Sequence, residues 1–298
     1  VTIFSHSRLS AFENCPRQYR YRYIEKIPVE TEGIEAFVGK RVHEILERLY
    51  HHVARHRKPP SLGQVLDRFR KDWDVAFHDR IRVVREETTA DEYRERGERG
   101  LTNYYRSNYP FETGETVGLE RALSIQLDES GRYRMRGIVD RIVRRGPGRY
   151  EIHDYKTGAS LPPRRIFERD RQLALYQIGL EQTFDDVEEV ELVWHYLTFN
   201  RTFTQTRSPE QLTELRTGTI ALIDTIESAT EHPPRTGPLC RWCDYNEICD
   251  AGRDAARRGA PDARATDLAA NADGGALPDR GAAAGDASLA ATQLSWLD

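Results

Sequence analysis

The sequence predicts a mixed α/β fold: helices first, then an antiparallel meander of three strands, then a helix and a further strand. Three observations carry this expectation. Apolar residues recur at helical spacing up to about residue 107, the period drops to two between 115 and 155, and a second helical pattern separates that block from the next strand. With 298 residues the chain is long enough for one large domain or two modest ones with a substantial core.

Taken in order, residues 5–27 (SHSRLSAFENCPRQYRYRYIEKI) read as helix, with Cys15-Pro16 in the middle and a basic, aromatic run after it. Residues 37–55 place Val38, Val42, Ile45, Leu46, Leu49 and Val53 on one stripe, the pattern of an amphipathic helix. Two more helical patterns follow at 62–80 and 89–107, the second strongly charged. Strands are expected at 115–127, 132–144 and 149–155, separated by turns at 128–131 (DESG) and 145–148 (RGPG). A helix at 166–183, a strand at 189–199, a short strand at 202–207 and a helix at 209–229 complete the pattern, and a Cys-rich segment at 233–250 closes it. Residues 1–250 are therefore expected to form one domain. From 251 the composition turns to Ala, Asp, Gly and Arg, so 251–298 reads as a disordered tail. Its Leu294, Trp296 and Leu297 form either a short partner-binding motif or ordinary tail.

Composition narrows the function classes. The chain is 31% charged, has a mean hydropathy of −0.70 and carries a net charge of −4, so no global basic field announces a nucleic-acid partner. No stretch approaches the roughly 18 apolar residues of a membrane span. The N-terminus lacks a signal peptide's apolar core. The expectation is a soluble, cytoplasmic protein without membrane contact. GIEAFVGKR (33–41) is no phosphate-binding loop, because its glycines are spaced too widely and Arg41 follows the lysine. The chain carries no motor of its own.

The chemistry concentrates in YEIHDYKTG (150–158). Asp154 and Lys156 are two apart at a strand's end, so they share a face. Asp140, in GIVDRI on the preceding strand, stands at a comparable distance from the turn and can approach Asp154 across the ladder. Two converging carboxylates repel unless a hard divalent cation sits between them. Lys156 can then orient or help deprotonate a water, or stabilise charge growing on a phosphate. The alternative is a surface network of cross-strand ion pairs. His43 borders the apolar stripe of the helix at 37–55, Gln172 and Tyr176 form an i, i+4 pair on the helix after the third strand, and Glu120 is a further possible inward acid.

In this order, GKRVHEIL, GIVDRI, HDYKTG and QLALY resemble the His, Asp, Asp-x-Lys and Gln-x3-Tyr motifs of the PD-(D/E)xK nuclease superfamily, specifically its RecB-like exonuclease branch. The resemblance spans about 5–250 and implies a restriction-endonuclease-like αβββαβ core. It implies that His43, Asp140, Asp154 and the Tyr155 carbonyl would bind Mg or Mn, that Lys156 would act on the attacking water, and that Gln172 and Tyr176 would support the site or the strand. The implied activity is exonucleolytic hydrolysis of single-stranded DNA or DNA ends in repair or end processing. The alternative is a DNA-end-binding subunit of a helicase–nuclease or a CRISPR spacer-acquisition complex, with a helicase or adaptation-complex partner.

Cys15 stands far from Cys240, Cys243 and Cys249. Without a secretory signal, four such residues read as a metal set, zinc or an iron–sulfur cluster. One close pair with two singles suits a cluster with separated corners better than a zinc ribbon. LSAFENCPRQYRYRY and CRWCDYNEIC are similar to the segments that hold a [4Fe–4S] cluster in AddB-type nuclease domains and in the CRISPR-associated exonuclease, which implies a structural staple. Local basic patches at 16–23, 144–149 and 162–165 are the candidate DNA contacts, with Arg17, Arg20 and Arg22 interleaved among tyrosines. The alternative for 16–23 is a helix that packs its tyrosines and solvates its arginines.

Overall fold

The structure is a computed structural model and describes residues 2–56 and 58–257. Most of the tail expected at 251–298, with Leu294, Trp296 and Leu297, lies outside the described residues. The helices are α1 (His6–Asn14), α2 (Pro16–Tyr19), α3 (Ile34–Arg55), α4 (Leu62–Ala76), α5 (Ala90–Asn108), α6 (Arg165–Glu168), α7 (Arg171–Glu181), α8 (Pro209–Ser228) and α9 (Asp250–Arg257). The strands are β1 (Ile3–Phe4), β2 (Glu32–Gly33), β3 (Ile81–Arg82), β4 (Glu115–Gln126), β5 (Arg134–Gly146), β6 (Arg149–Lys156), β7 (Glu189–Tyr196) and β8 (Arg201–Gln205).

Local chemistry explains the boundaries. The single helix expected over 5–27 is broken: Cys15 is extended (φ −160°, ψ 110°) because the residue before a proline avoids the helical region, and Pro16 starts α2. The helix expected at 166–183 is likewise divided, since the Asp170 side chain accepts from Leu173 N and caps a new start. Ser61, Thr89 and Ser208 each form a capping box with the residue three on, which fixes where α4, α5 and α8 begin. Between β5 and β6, Gly148 supplies a φ of +67° after Pro147. At the C-terminal end, α9 carries regular structure past 250 to Arg257.

The main sheet runs β1-β5-β6-β7-β8, with β4 paired to the other edge of β5. β4, β5 and β6 form the expected antiparallel meander. β6 and β7 are parallel, joined by α7 as crossover, and β8 returns antiparallel. Apolar residues bury on both faces. One core joins Leu123, Ile142, Ile152 and Trp194 to Leu9, Leu173, Leu175 and Ile223 of α1, α7 and α8. The other joins Tyr155 and Leu197 to Val42, Leu46, Phe69, Trp73 and Leu101 of α3, α4 and α5. The fold is thus the mixed α/β arrangement that the sequence predicts, here with helices on both faces of the sheet.

The sheet has a fork. β5 pairs with β6 from Gly146 back to Arg141↔His153, and the same edge of β5 then takes up β1 at Arg134 and Met135. Residues 136–140 of β5 and 154–156 of β6 therefore have no ladder partner in each other.

Candidate active site

The fork is where the singled-out residues meet. Asp140 is the first β5 residue past the last ladder pair, and its Oδ2 accepts from the backbone N–H of Tyr155 at 2.8 Å, so a carboxylate replaces the missing strand partner. On the other edge of β5, the ladder with β4 runs Leu119↔Arg141 and Arg121↔Val139 and omits Glu120. Glu120 has φ +42°, a left-handed conformation that bulky residues rarely hold. The distortion turns its carboxylate toward Asp140 and α3.

His43 arrives from α3, on one face of the sheet. Its Nε2 lies 2.8 Å from the Tyr155 carbonyl oxygen, which can only accept, so Nε2 carries a proton. Its Nδ1 faces Asp140 Oδ1 at 3.5 Å and Glu120 Oε1 at 3.8 Å. Burial alone would pull the imidazole down, but Asp140 and Glu120 outweigh it and hold His43 well above the usual histidine range. Burial pushes the Asp140 carboxyl up, and His43 with the Tyr155 N–H brings it below its ordinary value. A proton thus sits between donors that a metal would otherwise bridge.

Asp154 and Lys156 point to the opposite face, with Ile152. Lys156 Nζ lies 2.9 Å from Asp154 Oδ2 and 3.1 Å from Oδ1, both side chains being buried. Lys156 also donates to Gln172 Oε1 at 3.3 Å, and Gln172 Nε2 donates to Tyr176 Oη at 3.1 Å, so α7 supports the lysine from above. Burial raises Asp154 to about 6, with Lys156 pulling against it and Asp140 adding to it. Burial would lower Lys156, but Asp154 and Asp170 keep its ammonium above the usual lysine range. Lys156 is therefore a cation at neutral pH: it can orient a water or neutralise a phosphoryl oxygen, and it is not a free base.

Among the described residues, His43, Glu120 and Asp140 offer donor atoms all within 4.8 Å of one another. Two ligands of one Mg²⁺ at 2.0–2.1 Å stand about 3–4 Å apart, so the His43 spacings suit a small hard cation. The His43 Nε2–H bond to a backbone carbonyl is the arrangement that frees Nδ1 for a metal. Asp154, whose carboxyl is raised by burial and by Asp140, is the further acid of the fork, held against the Lys156 ammonium. These residues fit a divalent cation, which would supply Lewis-acid polarisation and an activated water.

His43 and Asp140 thus meet on one side of the fork, and Asp154, Lys156, Gln172 and Tyr176 on the other. The Tyr155 carbonyl, expected as a ligand, here accepts from His43. Glu120 takes a larger share than its sequence context signalled, because its strand period is broken by the positive φ. Gly137 was not singled out, yet a Cβ there would lie 2.2 Å from Tyr176 Cε1. Its signal was a glycine inside a strand three residues before an acid.

The four cysteines are gathered by docking of 233–250 onto the N-terminal helices. Tyr245 Oη donates to Ile27 O at 3.2 Å, Arg22 pairs with Asp244, and the Tyr21 and Tyr245 rings are 5.5 Å apart. Burial pushes the Cys243 thiol up to about 11, and the nearby Asp244, Cys15 and Cys240 add to this. Arg17 feels both Cys249 and Cys15. Two backbone N–H groups aim at sulfur, Arg235 N at Cys15 (3.3 Å) and Gly237 N at Cys240 (3.5 Å). None of the four is in a disulfide. Arg17, Arg20 and Arg22 all have internal partners: the His232 carbonyl at 3.1 Å, Glu25 at 2.6 Å and Asp244. The tyrosines of 16–23 pack inward, Tyr19 most completely.

No helix of the described residues is long and apolar enough to cross a membrane. No curated protein matches this chain. Among solved structures, the chain is similar to a Eubacterium rectale protein provisionally named an exonuclease (14% identity, TM-score 0.49, 87% of this chain and 90% of that one). It is also similar to SSO0001 (16% identity, TM-score 0.36, 82% and 85%). The sequence pattern of the PD-(D/E)XK nuclease superfamily matches residues 3–250, nearly the whole described chain. On the strength of that match, this chain belongs to the PD-(D/E)XK nuclease superfamily.

Proposed function

We propose that the protein is a Mg- or Mn-dependent deoxyribonuclease of the RecB-like branch, acting as an exonuclease on single-stranded DNA or strand ends in repair or end processing. The observation that carries this reading is the convergence at one fork of His43, Glu120, Asp140 and the Asp154–Lys156 pair. Asp140, Asp154 and His43, with Glu120, hold the cation. Lys156, kept charged by Asp154, serves the water and the phosphate. Gln172 and Tyr176 fix the lysine. Incubation of end-labelled single strands with Mg²⁺ or Mn²⁺ tests this. Degradation should stop with EDTA and with Asp154→Ala, and a wild type that binds the strand yet leaves it whole would instead indicate an end-binding subunit of a helicase–nuclease or spacer-acquisition complex.

Cys15, Cys240, Cys243 and Cys249 hold a [4Fe–4S] cluster in this reading, which staples the ends of a 1–250 nuclease domain while the rest of the chain is appended to it. Support comes from the free thiols around Cys243 and the two N–H groups directed at sulfur, a feature that tunes iron–sulfur centres. A single buried thiolate beside three others is disfavoured until a metal neutralises them. Anaerobically purified protein should absorb near roughly 400 nm and contain iron and sulfide. Zinc in their place would assign the site as Cys₄ zinc.

A further inference from the structure

We propose that the cavity behind Lys156 is a pocket for the terminal nucleotide of the strand being cut. This rests on the nuclease reading and deepens it, because it names the part of the substrate that the far side of the site receives.

The cavity measures about 590 Å³ and includes Lys156 and Gln172 in its wall, so it adjoins the fork at its lysine. That volume falls in the range of small-ligand sites, about 300–1,000 Å³. Phe167, Tyr196, Leu215 and Leu222 give it an apolar side suited to a base and sugar. Its other side is polar and incompletely satisfied. His6 Nδ1, Arg171 Nε and Thr219 Oγ1 are all buried without a hydrogen bond. Thr219 is the most telling of the three. Thr213, Thr217 and Thr225 on the same helix each donate to the carbonyl four residues back, at 2.9, 3.1 and 2.9 Å. Thr219, 2% exposed, does not. A buried hydroxyl left out of its own helix is an uncompensated cost unless a ligand completes it.

Charge and shape point the same way. Lys156, Arg169 and Arg171 line the cavity against Glu13 and Asp170, and both carboxylates already have tasks. Glu13 holds the Arg171 Nη1 at 3.0 Å, and Asp170 caps α7. His6 and Arg171 are the first residues of α1 and α7, so two helix N-termini with unused donors face the polar side, where an anion is favoured. α8 supplies Leu215, Gly218, Thr219 and Leu222 to the wall and packs on both α7 and α1. Lys156, 7% exposed, lies at the inner end of the cavity, so a strand entering from solvent stops there and the occupant is an end and not an internal segment. Gly218 stands at the rim, inside α8, with nothing within 4 Å of where its Cβ would be. A helix-interior glycine that no neighbour requires keeps this entrance open.

Equilibrium dialysis of the full chain against deoxythymidine 5′-monophosphate in EDTA tests the pocket without any cleavage. The wild type should bind, Gly218→Ala should bind equally, and Gly218→Phe, which has room to fold and fills the rim, should bind at least tenfold more weakly. In the degradation assay Gly218→Phe should lose at least tenfold on linear single strands while its Mn²⁺ affinity stays unchanged. Equal affinity in Gly218→Phe, no binding by the wild type, or displacement by inorganic phosphate as effective as by the nucleotide would each overturn the assignment. A failed nuclease reading appears separately, as wild type and Asp154→Ala that both leave DNA intact.

Discussion

β6 carries two buried polar systems back to back, and they are built to opposite rules. On one face Asp154 and Lys156 look into the fork, where Asp154 and the nearby Asp140 leave more acid than Lys156 alone balances. On the other face Glu151, His153 and, from β7, His195 form a relay in which each hydrogen bond has one consistent direction. Thr202 Oγ1 donates to His195 Nδ1 (3.2 Å), His195 Nε2–H to His153 Nδ1 (2.8 Å), and His153 Nε2–H to Glu151 Oε2 (2.9 Å), whose other oxygen takes Arg145 Nε at 2.6 Å. Every ring nitrogen is used, and both rings are neutral. The relay needs nothing from outside, whereas the fork does. Crowded carboxylates that a cation would relieve, more than the mere presence of acids and histidines, separate a reactive network from a structural one.

The largest test of that contrast is Asp140→Asn. The amide oxygen can still accept from Tyr155 N–H, so the fold should hold within about 1 kcal/mol. Cleavage should fall by about a thousandfold, on the order of 4 kcal/mol of transition-state stabilisation, because the trio loses its central charge. Wild-type metal binding should also release a proton, since His43 is protonated between Asp140 and Glu120 until a cation takes its place. Titration calorimetry in buffers of different ionisation enthalpy measures this. A thousandfold loss together with collapse of the melting transition, or metal binding with no proton release, would merge the fork with the relay as structural.

The relay makes the converse prediction, through pH. Burial lowers His153 to about 4, with Glu151 opposing, and holds His195 well below its usual range. A histidine held neutral contributes stability above its unfolded value of 6.5, and that contribution is lost as pH falls toward about 4. Burial raises Glu151, but His153 and Arg145 outweigh it and bring it to about 2, so its contribution is lost from 4.5 downward. Both signs agree: acidification destabilises. For His153 alone the loss is roughly 3 kcal/mol. Denaturant midpoints should drop from pH 6.5 downward, and His153→Leu should start lower but show a flatter profile in that upper limb. The activity of its folded fraction at neutral pH should be preserved. A wild-type midpoint constant down to about pH 4 would show that the relay does not bear on stability.

How far these two systems could be read in advance depends on how local their signals are. Asp140 and Asp154 were legible because a tight turn fixes the count across a hairpin. Helical spacing placed His43 and the Gln172–Tyr176 pair on helix faces, but only the ordered resemblance to the family's motifs singled them out. Glu120 was half-hidden, since strand alternation assumes a regular backbone and its φ of +42° is a tertiary distortion. The relay was invisible because its partners, His153 and His195, are joined only by the parallel register of β6 and β7 across a helical crossover. The break at Cys15 was legible in principle, as Cys-Pro, but helical spacing on both sides masked it. The cavity needed α1, α7 and α8 together, which no window of sequence contains.

The smallest test lies at the relay's outer end. Thr202 stands on β8, an exposed strand at the edge of the sheet, and its hydroxyl is a relay donor within reach of solvent. Thr202→Val keeps the shape and the strand propensity but removes the bond to His195 Nδ1. A buried acceptor left bare would cost about 1–3 kcal/mol, but at this edge water can reach the vacated position, so the expected loss is near 0.5 kcal/mol. Cleavage should be unchanged, because the relay faces away from Lys156. If Thr202→Val instead slows cleavage tenfold with little change in midpoint, then the relay sets the position of β6 within the fork, and the two faces of the strand work as one device.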